Sequence, residues 1–106
     1  MRIREYQELT RQTAIYPKEM GVVYCLMGLV GECGELSNKI KKRYRDGHVL
    51  GENKEKLSGE LGDILWYLAS LSHELGLDLG DIAVENIDKL LSRKERGVLG
   101  GSGDDR

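Results

Sequence analysis

The sequence contains no phenylalanine, one proline, one tryptophan and two cysteines. Two cysteines cannot build a disulfide framework. Cys25 and Cys33 are eight positions apart on what reads as one helix, a separation of about 12 Å at ~1.5 Å rise per residue. That is too far for a bond between them while the helix is intact, so both are expected as free, mostly buried thiols. A basic excess is also missing. Sixteen Lys and Arg stand against eighteen Asp and Glu, for a net charge of −2. That balance argues against nucleic acid as a partner and against a polybasic membrane anchor. No apolar run approaches the ~20 residues that span a bilayer. The first residues, Met1-Arg2-Ile3-Arg4-Glu5-Tyr6, lack the apolar core of a signal peptide. The expectation is a cytoplasmic protein with no membrane partner. No strand-period alternation occurs anywhere.

Helical periodicity is present throughout. Residues 2–15 read as a first helix with Ile3, Tyr6 and Leu9 along one side, ended by Pro17, which pushes the residue before it away from helical angles. A second helix is expected from Glu19 to Tyr44, with Val22, Leu26, Leu29, Val30, Cys33, Leu36 and Ile40 as its apolar stripe. Basic residues crowd its end, where cations complement the helix dipole, and Asp46-Gly47 reads as a turn. Gly28, Gly31 and Gly34 inside it each cost about 1 kcal/mol against alanine. Either another helix or a ligand approaches that bare backbone, or packing elsewhere compensates. After a polar connection over residues 46–53, a third helix is expected from Lys54 to Leu75, ended by Gly76. Leu57, Leu61, Ile64, Leu65, Leu68, Leu71 and Leu75 form its stripe. Asp78 is placed to cap a fourth helix that carries Ile82, Ala83, Ile87, Leu90 and Leu91 inward as far as about Arg96. The glycine-rich residues 97–106 are too poor in helix formers to continue it, and their composition predicts a disordered tail. The fold class is all-α: an antiparallel bundle of about four helices over residues 1–96, a single domain. So small a chain has a modest core, and pairing copies would bury more of it.

Two short stretches break this pattern. Leu29-Val30-Gly31-Glu32-Cys33-Gly34-Glu35-Leu36 and Glu60-Leu61-Gly62-Asp63 each set two carboxylates three residues apart in apolar surroundings. At that spacing both side chains share a helix face and repel each other. Two such pairs, on helices expected to lie side by side, point to something positive between them. Oxygen-only ligands suit a hard cation, and Mg²⁺ is the usual one where phosphates are bound.

Glu32-x-x-Glu35, 24 intervening residues, then Glu60-x-x-Asp63 resembles the signature of the MazG-like all-α nucleoside triphosphate pyrophosphohydrolases. The flanking Gly31-Glu32-Cys33-Gly34-Glu35-Leu36 and Glu60-Leu61-Gly62-Asp63-Ile64-Leu65-Trp66-Tyr67 carry the same resemblance, which extends over about residues 20–95. It implies that Glu32, Glu35, Glu60 and Asp63 are at once metal-binding and catalytic. They would hold Mg²⁺, with Mn²⁺ as a substitute, and the substrate would be a nucleoside triphosphate cleaved to the monophosphate and pyrophosphate. It also implies a homodimer or homotetramer with substrate near the subunit interface. The chemistry agrees, because cleavage at the α-phosphorus needs charge neutralised on phosphate oxygens and a positioned water. A carboxylate not fully engaged with metal can act as general base, and Glu35 is the candidate.

Five further residues are expected to bind substrate. Lys39 shares a face with Glu32 and Glu35 and would meet a phosphate, unless it forms an i,i+4 pair with Glu35. Tyr67, four residues after Asp63, is placed to stack on a base. Trp66, one residue round, reads as core or helix interface. Asn86, Lys89 and Arg93 form one stripe of the fourth helix, and Asn86 with Lys89 resembles the family's Asn-x-x-Lys element. The two cations would neutralise the triphosphate. His48 and His73 have no partner at ligand spacing and are expected at the surface. A di-iron bundle is excluded by the lack of any Glu-x-x-His. The competing function is a non-catalytic helical module whose acidic face docks a basic partner.

Overall fold

The computed structural model describes residues 1–48, 51 and 54–106. Among these, the chain forms α1 (Ile3–Leu9), α2 (Gly21–Arg45), α3 (Lys54–Glu74) and α4 (Leu79–Glu95), with two 3-10 turns, Thr10–Thr13 and Lys18–Met20, between α1 and α2. No strand occurs among the described residues. The expected first helix is cut short at Leu9. The Thr10 hydroxyl donates to the Gln7 carbonyl at 2.6 Å and the Thr13 hydroxyl to the Thr10 carbonyl at 3.3 Å, local bonds that compete with continued α-helix. Part of the expected 46–53 connection, residues 49, 50, 52 and 53, lies outside the described residues.

The helix ends follow from sequence chemistry. At the end of α3, Gly76 takes a φ of 72°. Leu77 N–H then donates to the Ser72 carbonyl at 2.8 Å and Gly76 N–H to the His73 carbonyl at 2.9 Å. This reversed closure satisfies carbonyls that a helix end leaves bare, and Gly47 and Gly97 close α2 and α4 in the same way. Asp78 caps α4 by accepting from Asp81 N–H at 2.9 Å. The buried Gln7 side chain clasps the α3–α4 turn from α1. Its amide donates to the Leu77 carbonyl at 2.9 Å and its oxygen accepts from Leu79 N–H at 2.7 Å.

α2 and α3 are antiparallel. Gly21 meets Glu74, Gly28 meets Tyr67, and Lys39 meets Glu60, so one numbering rises as the other falls. Gly28 is the close approach that the helix glycines suggested, since a β-carbon there would overlap the Tyr67 ring. Nothing lies within 4 Å of a β-carbon at Gly31 or Gly34.

The core is smaller than the apolar stripes predict. Among the described residues, Cys25, Ala69 and Leu79 are its buried hydrophobic members. Cys33 is exposed, contrary to expectation. Val22, Leu26 and Val30 of α2, Leu61, Leu65 and Leu68 of α3, Leu75 just after it, and Ile87, Leu90 and Leu91 of α4 are also exposed. The reason is architectural: α4 packs on α1 and α3 but not on α2, so the long helices keep uncovered faces. The radius of gyration, 16.8 Å, exceeds the ~13 Å of a compact chain of this length. The stretch Lys18–Arg45 is also apolar enough, by length and composition, to cross a membrane, with an 18-residue window of mean hydropathy 1.2. This departs from the expectation of no such run. The same helix carries Glu32 and Glu35, and a carboxylate at a bilayer centre costs at least ~2.5 kcal/mol.

The tail departs from expectation as well. Arg93 is buried and donates to the Asp104 carbonyl at 3.0 Å. Arg96 donates to the Arg106 carbonyl at 2.8 Å, and the Arg106 guanidinium bonds back to the carbonyls of Val98, Leu99 and Gly103. Glycine lets this segment turn, and arginine donors then satisfy the exposed carbonyls.

Candidate metal centre

The antiparallel register of α2 and α3 brings Glu32 of α2 opposite Glu60 and Asp63 of α3. One carboxylate oxygen from each lies within 4.8 Å of the others. Glu32 is half-buried, Asp63 is exposed, and Glu60 retains 7% of its surface. Glu32 Oε2 and Glu60 Oε2 are buried without a hydrogen-bond partner, a costly arrangement for carboxylate oxygens. Three convergent carboxylates, two of them with a buried oxygen that lacks a hydrogen-bond partner, fit a hard divalent cation.

The fourth expected carboxylate stands apart. Glu35 is exposed and does not belong to the group of three. It still acts on that group, since its charge helps to raise the pKa of Glu32. Burial is the main cause of the raised Glu32 pKa, and the carboxylates of Glu60, Glu35 and Asp63 push the same way. Glu60 moves in the opposite direction, because the Lys39 ammonium donates to it. The two members of the Glu32–Glu60 pair are thus shifted in opposite directions, Glu32 up and Glu60 down.

Lys39 does not form the ion pair with Glu35 that was the alternative to a phosphate contact. Its Nζ lies 2.5 Å from Glu60 Oε1, across the helix pair, rather than pairing with Glu35 along its own helix. Tyr67 lies beside the carboxylates. With Thr13, Glu32, Asp63 and Trp66 it lines an open cavity of about 320 Å³. Trp66 is held by its indole N–H, which donates to Thr13 Oγ1 at 2.9 Å, and it packs edge-on to Tyr67 at 5.1 Å. Its place in this wall was legible as an i,i+3 step from Asp63, but no sequence signal marks Thr13. A slightly larger groove, about 370 Å³, lies around Arg11 and Asp78 and contains no carboxylate cluster.

The structure does not bring the α4 residues to this centre. Asn86 and Lys89 are exposed on a helix that makes no contact with α2 among the described residues. Arg93 is withdrawn by the tail, its guanidinium bonded to Asp104. His48 and His73 are exposed, as expected.

Among the described residues, the protein is a four-helix, all-α chain whose acidic side chains meet between two antiparallel helices, an arrangement that could hold a cation. The profile of the MazG nucleotide pyrophosphohydrolase domain matches residues 24–98, more than half of the chain, and the protein belongs to that family. It is also 46% identical, over 114 aligned positions covering 100% of both chains, to the Gene 37 protein of Mycobacterium phage L5. No solved structure matches the chain.

Proposed function

We propose that the protein is a Mg²⁺-dependent pyrophosphohydrolase that converts a nucleoside or deoxynucleoside triphosphate and water to the monophosphate and pyrophosphate. The observation that carries this reading is the meeting of Glu32, Glu60 and Asp63 with two buried, unpartnered oxygens. Those three residues would hold the ion. When bound, Mg²⁺, or Mn²⁺ in its place, supplies charge neutralisation at phosphate oxygens and lowers the pKa of water. Glu35, outside the group of three and exposed, would take a proton from the attacking water. Tyr67, Trp66 and Thr13 wall the cavity next to the carboxylates, and aromatic faces there suit a nucleobase. The reading places the enzyme in the cytoplasm, with the nucleotide pool. A docking module fits less well, because Glu60 presents little surface to a partner.

The active form is a homodimer or homotetramer. The protomer exposes 7873 Å², whereas a compact monomer of 11.9 kDa exposes about 5,900 Å². The difference is of the order that a stable interface buries. A second copy would also be the source of Asn86 and Lys89 for the acidic centre, which α4 does not reach within its own chain. Light scattering should give a multiple of the chain mass at micromolar concentration, and a single-chain mass contradicts the assembly. For the reaction, nucleotide products are separated after incubation with Mg²⁺. Monophosphate with pyrophosphate is expected; diphosphate with orthophosphate, or full activity in excess chelator, overturns the assignment.

A further inference from the structure

The ion pair between Lys39 and Glu60 places a cation of the protein's own where an external one would bind. Glu60 is the most buried of the three converging carboxylates, and one of its two oxygens is taken by the Lys39 ammonium. Its other oxygen is buried and unpartnered, as is Glu32 Oε2. A buried carboxylate without a nearby positive charge is strongly destabilising, and Lys39 is the positive group donating to Glu60. The lysine is not locked in place, since 45% of its side-chain surface is exposed and its four-carbon stem is flexible. Holding a divalent ion on the same carboxylate pair and keeping an ammonium on Glu60 are in direct competition, because like charges at contact distance repel.

We propose that Lys39 is a built-in counter-cation of this centre. It neutralises Glu60 while the centre is empty and is displaced from it when a divalent cation enters, so it sets the metal concentration at which the centre fills. Once displaced, its ammonium is available to an anionic ligand arriving with the metal. This rests on the proposed metal-binding role of Glu32, Glu60 and Asp63, and assigns Lys39 a positioning part in it.

The test is calorimetric titration of the full-length protein with MgCl₂ alone, without nucleotide, beside thermal melts of the metal-free protein. Wild type is compared with Lys39→Met and with Lys39→Gln, which keeps an uncharged donor for Glu60 should the methionine variant fail to fold. Removing the competing charge should tighten Mg²⁺ binding about tenfold, the equivalent of ~1.4 kcal/mol. The metal-free melting temperature should fall at the same time, because Glu60 loses its partner. A lysine with a merely structural role would lower the melting temperature equally with and without Mg²⁺, leaving the dissociation constant unmoved. Unchanged or weaker Mg²⁺ binding in both variants, with wild type binding normally, overturns the counter-cation while leaving the metal centre intact. Absence of Mg²⁺ and Mn²⁺ binding by wild type overturns both.

Discussion

Three glycines of α2 look alike in sequence but differ in surroundings, and alanine substitution at each should separate them. A β-carbon at Gly28 would overlap the Tyr67 ring, and even the third-nearest ring atom, Cδ1, would lie only 2.5 Å away. Real β-carbons do not come so near, so the ring must shift, and Tyr67 is hemmed in by Trp66 at 5.1 Å and Tyr24 at 6.4 Å. Overpacking of this kind costs about 1–3 kcal/mol, against a gain of about 1 kcal/mol from replacing a helix glycine by alanine. Gly28→Ala should therefore be neutral to destabilising by about 2 kcal/mol. At Gly31 and Gly34 nothing opposes the gain, and each alanine should stabilise by roughly 0.5–1 kcal/mol. For a domain of about this size, 1 kcal/mol moves Tm by roughly 4–8 °C, so scanning calorimetry resolves the contrast. Gly28→Ala should also disturb the cavity wall and raise KM, whereas the other two should not. The reasoning is refuted if Gly28→Ala is as stabilising as its neighbours. A fall in Tm for Gly31→Ala, with loss of oligomer mass, would show instead that a second chain covers that backbone.

Alanine at Glu32, Glu60 or Asp63 should abolish both turnover and the Mg²⁺-induced rise in Tm. Glu35→Ala should keep most of that rise while losing about 10²–10⁴-fold in kcat, as a general base does; equal loss of the Mg²⁺ shift in all four variants would put Glu35 among the ligands. Arg93→Ala removes a buried charged donor from Asp104, a loss of about 1.5–3 kcal/mol, and should open residues 97–106 to limited proteolysis; an unchanged cleavage pattern counts against the clasp. For pH, Glu32 has a raised pKa in the folded protein, so its contribution favours folding at acid pH and fades as pH rises through the folded value. Glu60 is lowered, so its contribution holds above the unfolded value and is lost as pH falls through the folded one. Without metal, Glu32→Gln should therefore melt higher than wild type at neutral pH, with the gap closing on acidification; a gap independent of pH would show that Glu32 carries no raised pKa.

The sequence made the helices legible because each boundary rests on local chemistry. Gly76 supplies a positive φ, Asp78 has a backbone N–H three residues on to accept, and the i,i+3 carboxylates share a face whatever the helix packs against. What it could not show is how α2 and α3 are rotated about their own axes relative to one another. That rotation is fixed where Tyr67 seats on Gly28 and Glu74 against Gly21, contacts that belong to no single helix. It decides that Glu32 converges on Glu60 and Asp63 while Glu35 stays outside the group, and that Lys39 reaches across to Glu60 rather than back to Glu35. The direction of α4 is equally non-local. Its stripe of Asn86, Lys89 and Arg93 is a true stripe, but α4 is aimed by the Gln7 clasp on the α3–α4 turn, which carries it away from α2. The exposed Ile87 and Leu91 on that helix, and Val22, Leu26 and Val30 on α2, belong to amphipathic patterns whose apolar faces stay uncovered within this chain. A periodicity encodes which face of a helix seeks cover, not which chain supplies it.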